Sequence, residues 1–89
     1  MPISQSQIER AGALARQFGA TRLVLFGSAL EDPEHARDLD LACDGVPGWK
    51  LFELAARIEE EIRAPLDLVP LQPMTRFTRH ILTRGKALL

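Results

Sequence analysis

The chain has 89 residues, 46% of them hydrophobic and 26% charged, with a formal net charge of -1 at pH 7. That length holds one hydrophobic core, so residues 1–89 are read as a single domain, and the composition excludes collagen-like and disordered chains. The near-neutral balance gives no global electrostatic reason to bind nucleic acid.

Ser4 followed by Gln7 is a capping-box pattern, with Ile3 and Ile8 at the positions of a hydrophobic staple. Ile8, Ala11, Leu14, Ala15 and Phe18 then recur at helical spacing, and Gly19 supplies the stop. Thr21 to Phe26 is a β-branched and apolar run that predicts a buried strand ending at Gly27-Ser28. Residues 29–37, with Pro33, predict a polar turn, and Asp38 to Cys43 a second strand closed by the Asp44-Gly45 turn. Pro47 opens a second helix whose stripe is Leu51, Leu54, Ala55, Ile58 and Ile62, with Glu59, Glu60 and Arg63 outside it. Pro65 ends it, and Leu66 to Leu71 predicts a third strand, with Pro70 indicating an early end or an edge position. Residues 73–84 predict a third helix with Phe77 and Ile81 on one face and Gly85 as its cap, and the tail from Lys86 adds a short strand or packs on the core. The order α-β-β-α-β-α predicts an α+β fold, a small mixed β-sheet flanked by helices.

Charge is unevenly distributed. Residues 1–30 carry three arginines and one glutamate, residues 31–67 eleven acids and four bases, and residues 68–89 four bases and no acid. A solvated helix face accounts for Glu59, Glu60 and Glu61, and for the basic tail, since four cations make a weak footprint for nucleic acid. The N-terminus lacks the layout of a signal peptide and no apolar run is long enough to span a membrane, so a cytoplasmic protein is expected. A chain this short buries a limited fraction of its surface, which makes a homo-oligomer or a partner complex the default expectation.

Asp38-Leu39-Asp40-Leu41 carries the chemistry. In a strand, alternate side chains share a face, so Asp38 and Asp40 face one way while Leu39 and Leu41 enter the core. Two neighbouring carboxylates repel one another unless a counter-charge intervenes, and a divalent cation with hard oxygen ligands removes the conflict. Asp67, between Leu66 and Leu68, brings a third carboxylate to the same face if the second and third strands are neighbours. Two acids on one strand and one on the next form a candidate two-metal site for phosphoryl or nucleotidyl transfer, with Asp67 on the attacking side. Gly27 permits a sharp turn and close approach of a ligand, and Ser28 offers a hydroxyl and backbone N–H groups to phosphate oxygens. The competing reading is a pair of solvated edge-strand acids beside an ordinary Gly-Ser turn.

Leu25-Phe26-Gly27-Ser28, Arg37-Asp38-Leu39-Asp40-Leu41 and Leu66-Asp67-Leu68-Val69 resemble the minimal nucleotidyltransferases of the DNA polymerase beta superfamily, over almost the whole chain. The resemblance implies a polymerase-beta-like nucleotidyltransferase fold and transfer of a nucleoside monophosphate dependent on two Mg2+ ions. It implies Asp38, Asp40 and Asp67 as catalytic metal ligands and Gly27 and Ser28 as the contact for ATP. Many members of that family are antitoxins of toxin–antitoxin pairs that adenylylate a tyrosine of a HEPN-domain toxin, which makes a HEPN toxin the implied partner. The chain departs from the family in the segment Ala29-Leu30-Glu31-Asp32-Pro33, which lacks the arginine many relatives carry after Gly-Ser, leaving Arg37 or a partner residue to supply positive charge. Arg37 also stands where serine is frequent.

Three functions remain open at this stage: protein nucleotidyltransferase, antitoxin that neutralises its partner by binding alone, and nucleotide transfer onto RNA. Cys43, the single cysteine, excludes an internal disulfide and is read as a small core residue. His35 and His80 have no partners at ligand spacing and are read as surface residues, and Trp49 as a packing anchor.

Overall fold

The first element of the chain, described over residues 2–89 in a computed structural model, is α1 (Gln5–Gln17), and its capping box is complete. The Gln7 N–H donates to the Ser4 hydroxyl oxygen at 3.2 Å, and the Ser4 N–H donates to the Gln7 side-chain oxygen at 2.7 Å. β1 (Arg22–Phe26) follows, then α2 (Ser28–Glu31), β2 (Leu39–Asp44), α3 (Gly48–Ile62), β3 (Leu66–Pro70), α4 (Arg76–Arg84) and β4 (Lys86–Ala87). The expected polar turn over 29–37 therefore contains one helical turn, because Gly27 and Ser28 accept the backbone N–H groups of Leu30, Glu31 and Asp32. Pro47 is the N-cap of α3 rather than its first residue, and that helix stops at Arg63 in the left-handed conformation, before Pro65 is reached. The helix expected from Pro73 begins only at Arg76, where Thr75 and Thr78 form a second capping box.

The four strands make one mixed sheet in the order β3-β2-β1-β4. β1 is antiparallel to β2 and β4, and β2 is parallel to β3. β3 is thus an edge strand, as Pro70 predicted, since proline cannot donate to an outer neighbour. β4 is the short strand anticipated for the tail, and just beyond it Leu88 N–H donates to the Leu23 carbonyl at 2.8 Å.

Alternation along the strands separates two apolar clusters. Leu23 and Leu25 of β1 and Leu39, Leu41 and Cys43 of β2 join the buried stripes of α1 and α3, including Leu14, Leu54 and Ile58. The opposite face holds a smaller cluster of Val24, Ala42, Leu71 and Ile81, covered by α4. Because α4 is only nine residues long, it covers part of that face and leaves the rest open. Asp40 and Asp67 alternate with the leucines of the main core, so the larger cluster fixes them on the thinly covered side.

Two expectations about packing change. Trp49 is 75% exposed and Phe52 83% exposed, so Trp49 is not a packing anchor. Both lie at the start of α3 off its buried stripe, and the Lys50 ammonium sits 5.8 Å from the Trp49 ring centre. Phe77 is 56% exposed and does not share the burial of Ile81. Cys43 is a buried core residue, and His35 and His80 are exposed, as expected.

Candidate active site

β1 delivers the chain to a sharp turn at Gly27, whose φ of 72° and ψ of -153° suit only a residue without Cβ. The turn also needs glycine for space, because a Cβ at this position would overlap the Asp40 carboxylate. The reason is register: Phe26 lies opposite Asp40 across the antiparallel β1–β2 pair, so the residue after Phe26 passes over that carboxylate. Ser28 is exposed at the first position of α2, where the leading N–H groups of a helix have no intrahelical acceptor.

On its other side Asp40 is paired with Asp67 across the parallel β2–β3 ladder. Asp40 is half-buried and Asp67 exposed. Asp38 lies one residue before β2 and is exposed, so it flanks the strand rather than extending it as expected. Leu39 N–H donates to the Pro65 carbonyl at 2.9 Å, which sets where the parallel pairing begins.

Burial raises the Asp40 pKa above the ordinary carboxylate value, and the charges of Asp67 and then Asp38 push in the same direction. No cation offsets this. The two ion pairs among the described residues are Arg10–Glu61 and His35–Asp32, both elsewhere. Two further carboxylates therefore act on half-buried Asp40 without a counter-charge, an arrangement that favours binding a cation.

Among the described residues, no group of three or more His, Cys, Asp or Glu side chains is drawn together tightly enough to enclose a metal ion. The structure brings Asp40 and Asp67 into register and leaves Asp38 at the margin. Such an open, all-oxygen donor set suits Mg2+, which is commonly held by one or two carboxylates together with substrate phosphates and water rather than by a protein cage.

A neighbouring feature is absent from the sequence reading. Phe77 of α4 meets Phe26 edge to face, with ring centres 6.1 Å apart and planes at 84°. Around that contact His80 and Arg84 of α4 line a pocket together with Gly27 and Glu31. The signal was present in the helical spacing of residues 77, 80, 81 and 84, but only Phe77 and Ile81 stand out when apolar residues alone are followed.

The mixed four-stranded sheet flanked by helices, with two register-paired aspartates beside a Gly-Ser turn, is a fold shared with solved structures of toxin–antitoxin complexes. The chain is similar to a chain of the complex between tri-AMPylated Shewanella oneidensis HEPN toxin and MNT antitoxin, with a TM-score of 0.75 at 23% identity over 96% of this chain and 71% of that one. It is similar to a chain of the MntA–HepT toxin–antitoxin complex, with a TM-score of 0.73 at 22% identity over 97% and 72% of the two chains. A third similar chain belongs to a toxin–antitoxin structure with AMP-PNP, at TM-score 0.73 and 24% identity over 94% and 71%. No family model and no curated protein matches the chain. At these identities the likeness establishes a common fold, the one implied by the resemblance of the Gly27-Ser28, Asp38-Leu39-Asp40 and Leu66-Asp67 segments.

Proposed function

We propose that the chain is a Mg2+-dependent nucleotidyltransferase that moves AMP from ATP to a tyrosine hydroxyl of a HEPN toxin, and that it is the antitoxin of that pair. The observation that carries this reading is the register of Asp40 with Asp67 beside the Gly27 turn. The similar structures support the donor and the acceptor, since one contains AMP-PNP and another an AMPylated HEPN toxin.

In such a transfer the acceptor oxygen forms a bond to the α-phosphorus, the bond from that phosphorus to pyrophosphate breaks, and the hydroxyl loses its proton. Asp38, Asp40 and Asp67 are the residues that would hold two Mg2+ ions, which supply neutralisation of the triphosphate and a lowered pKa at the acceptor hydroxyl. Gly27 gives the phosphates a close approach to backbone, and the Ser28 hydroxyl orients their oxygens. Asp67, exposed on the outer strand, faces the side from which an acceptor can come and is the carboxylate assigned to receive its proton.

The open face explains the need for a partner. With α4 covering only part of it, the site has no walls to enclose an acceptor, so the toxin itself must align the tyrosine with the α-phosphate. No helix among the described residues is long and apolar enough to cross a membrane, and the reading places the reaction in the cytoplasm, where ATP and Mg2+ are supplied.

The deciding experiment incubates the protein with α-labelled ATP, Mg2+ and a candidate HEPN toxin. Label is expected on the toxin and is expected to vanish with Asp40→Asn and Asp67→Asn. A stable complex without label would make the chain an antitoxin that works by binding alone, and label on RNA would move the acceptor to nucleic acid.

A further inference from the structure

The Gly27 turn lacks a cation of its own. From Gly27 to Ala36 the chain carries Glu31, Asp32 and Glu34 but no lysine or arginine, and Asp40, with its register partner Asp67, lies against the turn. A triphosphate approaching this turn meets a negative surface, so a protein cation near its terminal phosphates is needed beyond any bound metal. Arg37, the next arginine along the chain after the turn, lines a separate recess with Pro2, Glu34 and His35.

The tertiary structure supplies a different arginine. Gly27, Glu31, Phe77, His80 and Arg84 line one pocket of about 210 Å³ between α2 and α4. Phe77, His80 and Arg84 are three and four residues apart and so lie on one side of α4. Two contacts hold α4 against β1, the strand that leads into the turn. The Phe26–Phe77 pair ties the helix to the residue before Gly27. At the other end, Gly85 packs so closely on Val24 and the Ile81 carbonyl that a Cβ there would overlap both. Arg84 belongs to neither of the two ion pairs among the described residues, so Glu31 across the pocket does not neutralise it.

We infer that Arg84 binds the terminal phosphates of a nucleoside triphosphate seated on the Gly27-Ser28 turn. A guanidinium suits the task because its planar fork donates two hydrogen bonds to one phosphate group. The inference rests on the nucleotide-binding reading above and adds the residue that distinguishes a triphosphate from a monophosphate.

The test is equilibrium binding of ATP and of AMP, with Mg2+, to the wild type, Arg84→Ala, Arg84→Lys and Arg79→Ala. Arg84 is exposed, so its removal leaves the core intact, which thermal unfolding checks. Arg84→Ala is expected to weaken ATP about tenfold or more, the worth of a charge-assisted hydrogen bond, with AMP unchanged and partial recovery in Arg84→Lys. Arg79→Ala, the same loss of charge on the same helix, is expected to bind ATP as the wild type does. Unchanged ATP binding in Arg84→Ala overturns the assignment, and so does an equal loss of ATP and AMP or an equal loss in Arg79→Ala. A wild type that binds no ATP at all overturns the nucleotide reading itself.

Discussion

Asp40 and Asp67 are register partners across the parallel β2–β3 ladder, and the Gly27 turn closes over the Asp40 carboxylate from the other side. One half-buried carboxylate is thereby placed between a second carboxylate and a backbone turn, and neither carboxylate belongs to an ion pair among the described residues. The arrangement costs stability in the free protein and becomes favourable when positive charge arrives. The expected effects of mutation, metal and pH at the site follow from that tension.

Asp40→Asn separates the two sides of it. The Asp40 pKa is raised in the folded chain, first by burial and then by Asp67 and Asp38. Folding therefore favours the protonated form, and stability is present at low pH and lost as pH rises through the raised value. In the absence of divalent cations, Asp40→Asn is expected to unfold a few degrees higher than the wild type at pH 7, with the difference shrinking in acid. Label transfer is expected to fall on the order of a hundredfold or more. Mg2+ is expected to raise the melting temperature of the wild type and leave that of Asp40→Asn nearly unmoved, because a ligand stabilises only the state that binds it. A variant that melts lower than the wild type at neutral pH without metal would contradict this account.

Gly27→Ala is expected to damage fold and site together. The added methyl meets the Asp40 carboxylate and the backbone must abandon a conformation that alanine rarely adopts, at a cost of about 1–3 kcal/mol. Gly12→Ala is the control, since Gly12 lies within α1 with nothing near its Cβ position, and it is expected to be neutral or slightly stabilising. Chemical denaturation of both variants checks the contrast.

Cys43 predicts an alkaline limit. Burial, with the Asp44 charge, pushes its thiol up to about 11 from an ordinary value of 9.0. The neutral thiol is favoured by folding, so this contribution is complete below pH 9.0 and is lost as pH rises toward about 11. The wild type is expected to lose stability over that interval and Cys43→Ala to lose less, although the alanine variant starts lower by about 1 kcal/mol for the missing sulfur. Thiol-modifying reagents are expected to react with native protein far more slowly than with unfolded protein at pH 8.

Two substitutions on α3 test the apolar division of that helix. Leu54 is fully buried and Phe52, two residues earlier, is 83% exposed. Leu54→Ala is expected to cost about 2–5 kcal/mol, a large share of the stability of so small a domain. Phe52→Ala is expected to fall within about 0.5 kcal/mol of the wild type. Urea titration of the two variants gives the comparison.

Much of the local structure was legible in the residues. The Ser4–Gln7 box, the stripe from Leu51 to Ile62, the alternation through Leu39 and Leu41, and Pro70 at an edge each report a short-range preference that tertiary packing did not override. The short α2 and the late start of α4 were not legible, because one turn of helix depends on which carbonyls happen to be free, and Thr75 is a stronger cap than the proline before it. Trp49 illustrates the limit of reasoning from residue type: a large aromatic ring is usually buried, yet its place on the helix turns it outward.

By itself the sequence determined which residues could do chemistry, since Gly27-Ser28 and the three aspartates are set by local spacing and strand alternation has a period of two. Only the tertiary structure decided which of them meet. The parallel pairing of β2 with β3 puts Asp67 beside Asp40, leaves Asp38 at the margin, and lets α4 carry Arg84 to the Gly27 turn. The reason is that strand order and helix placement are settled by burying the leucine faces of the sheet, a property of the whole core that no stretch of neighbouring residues contains.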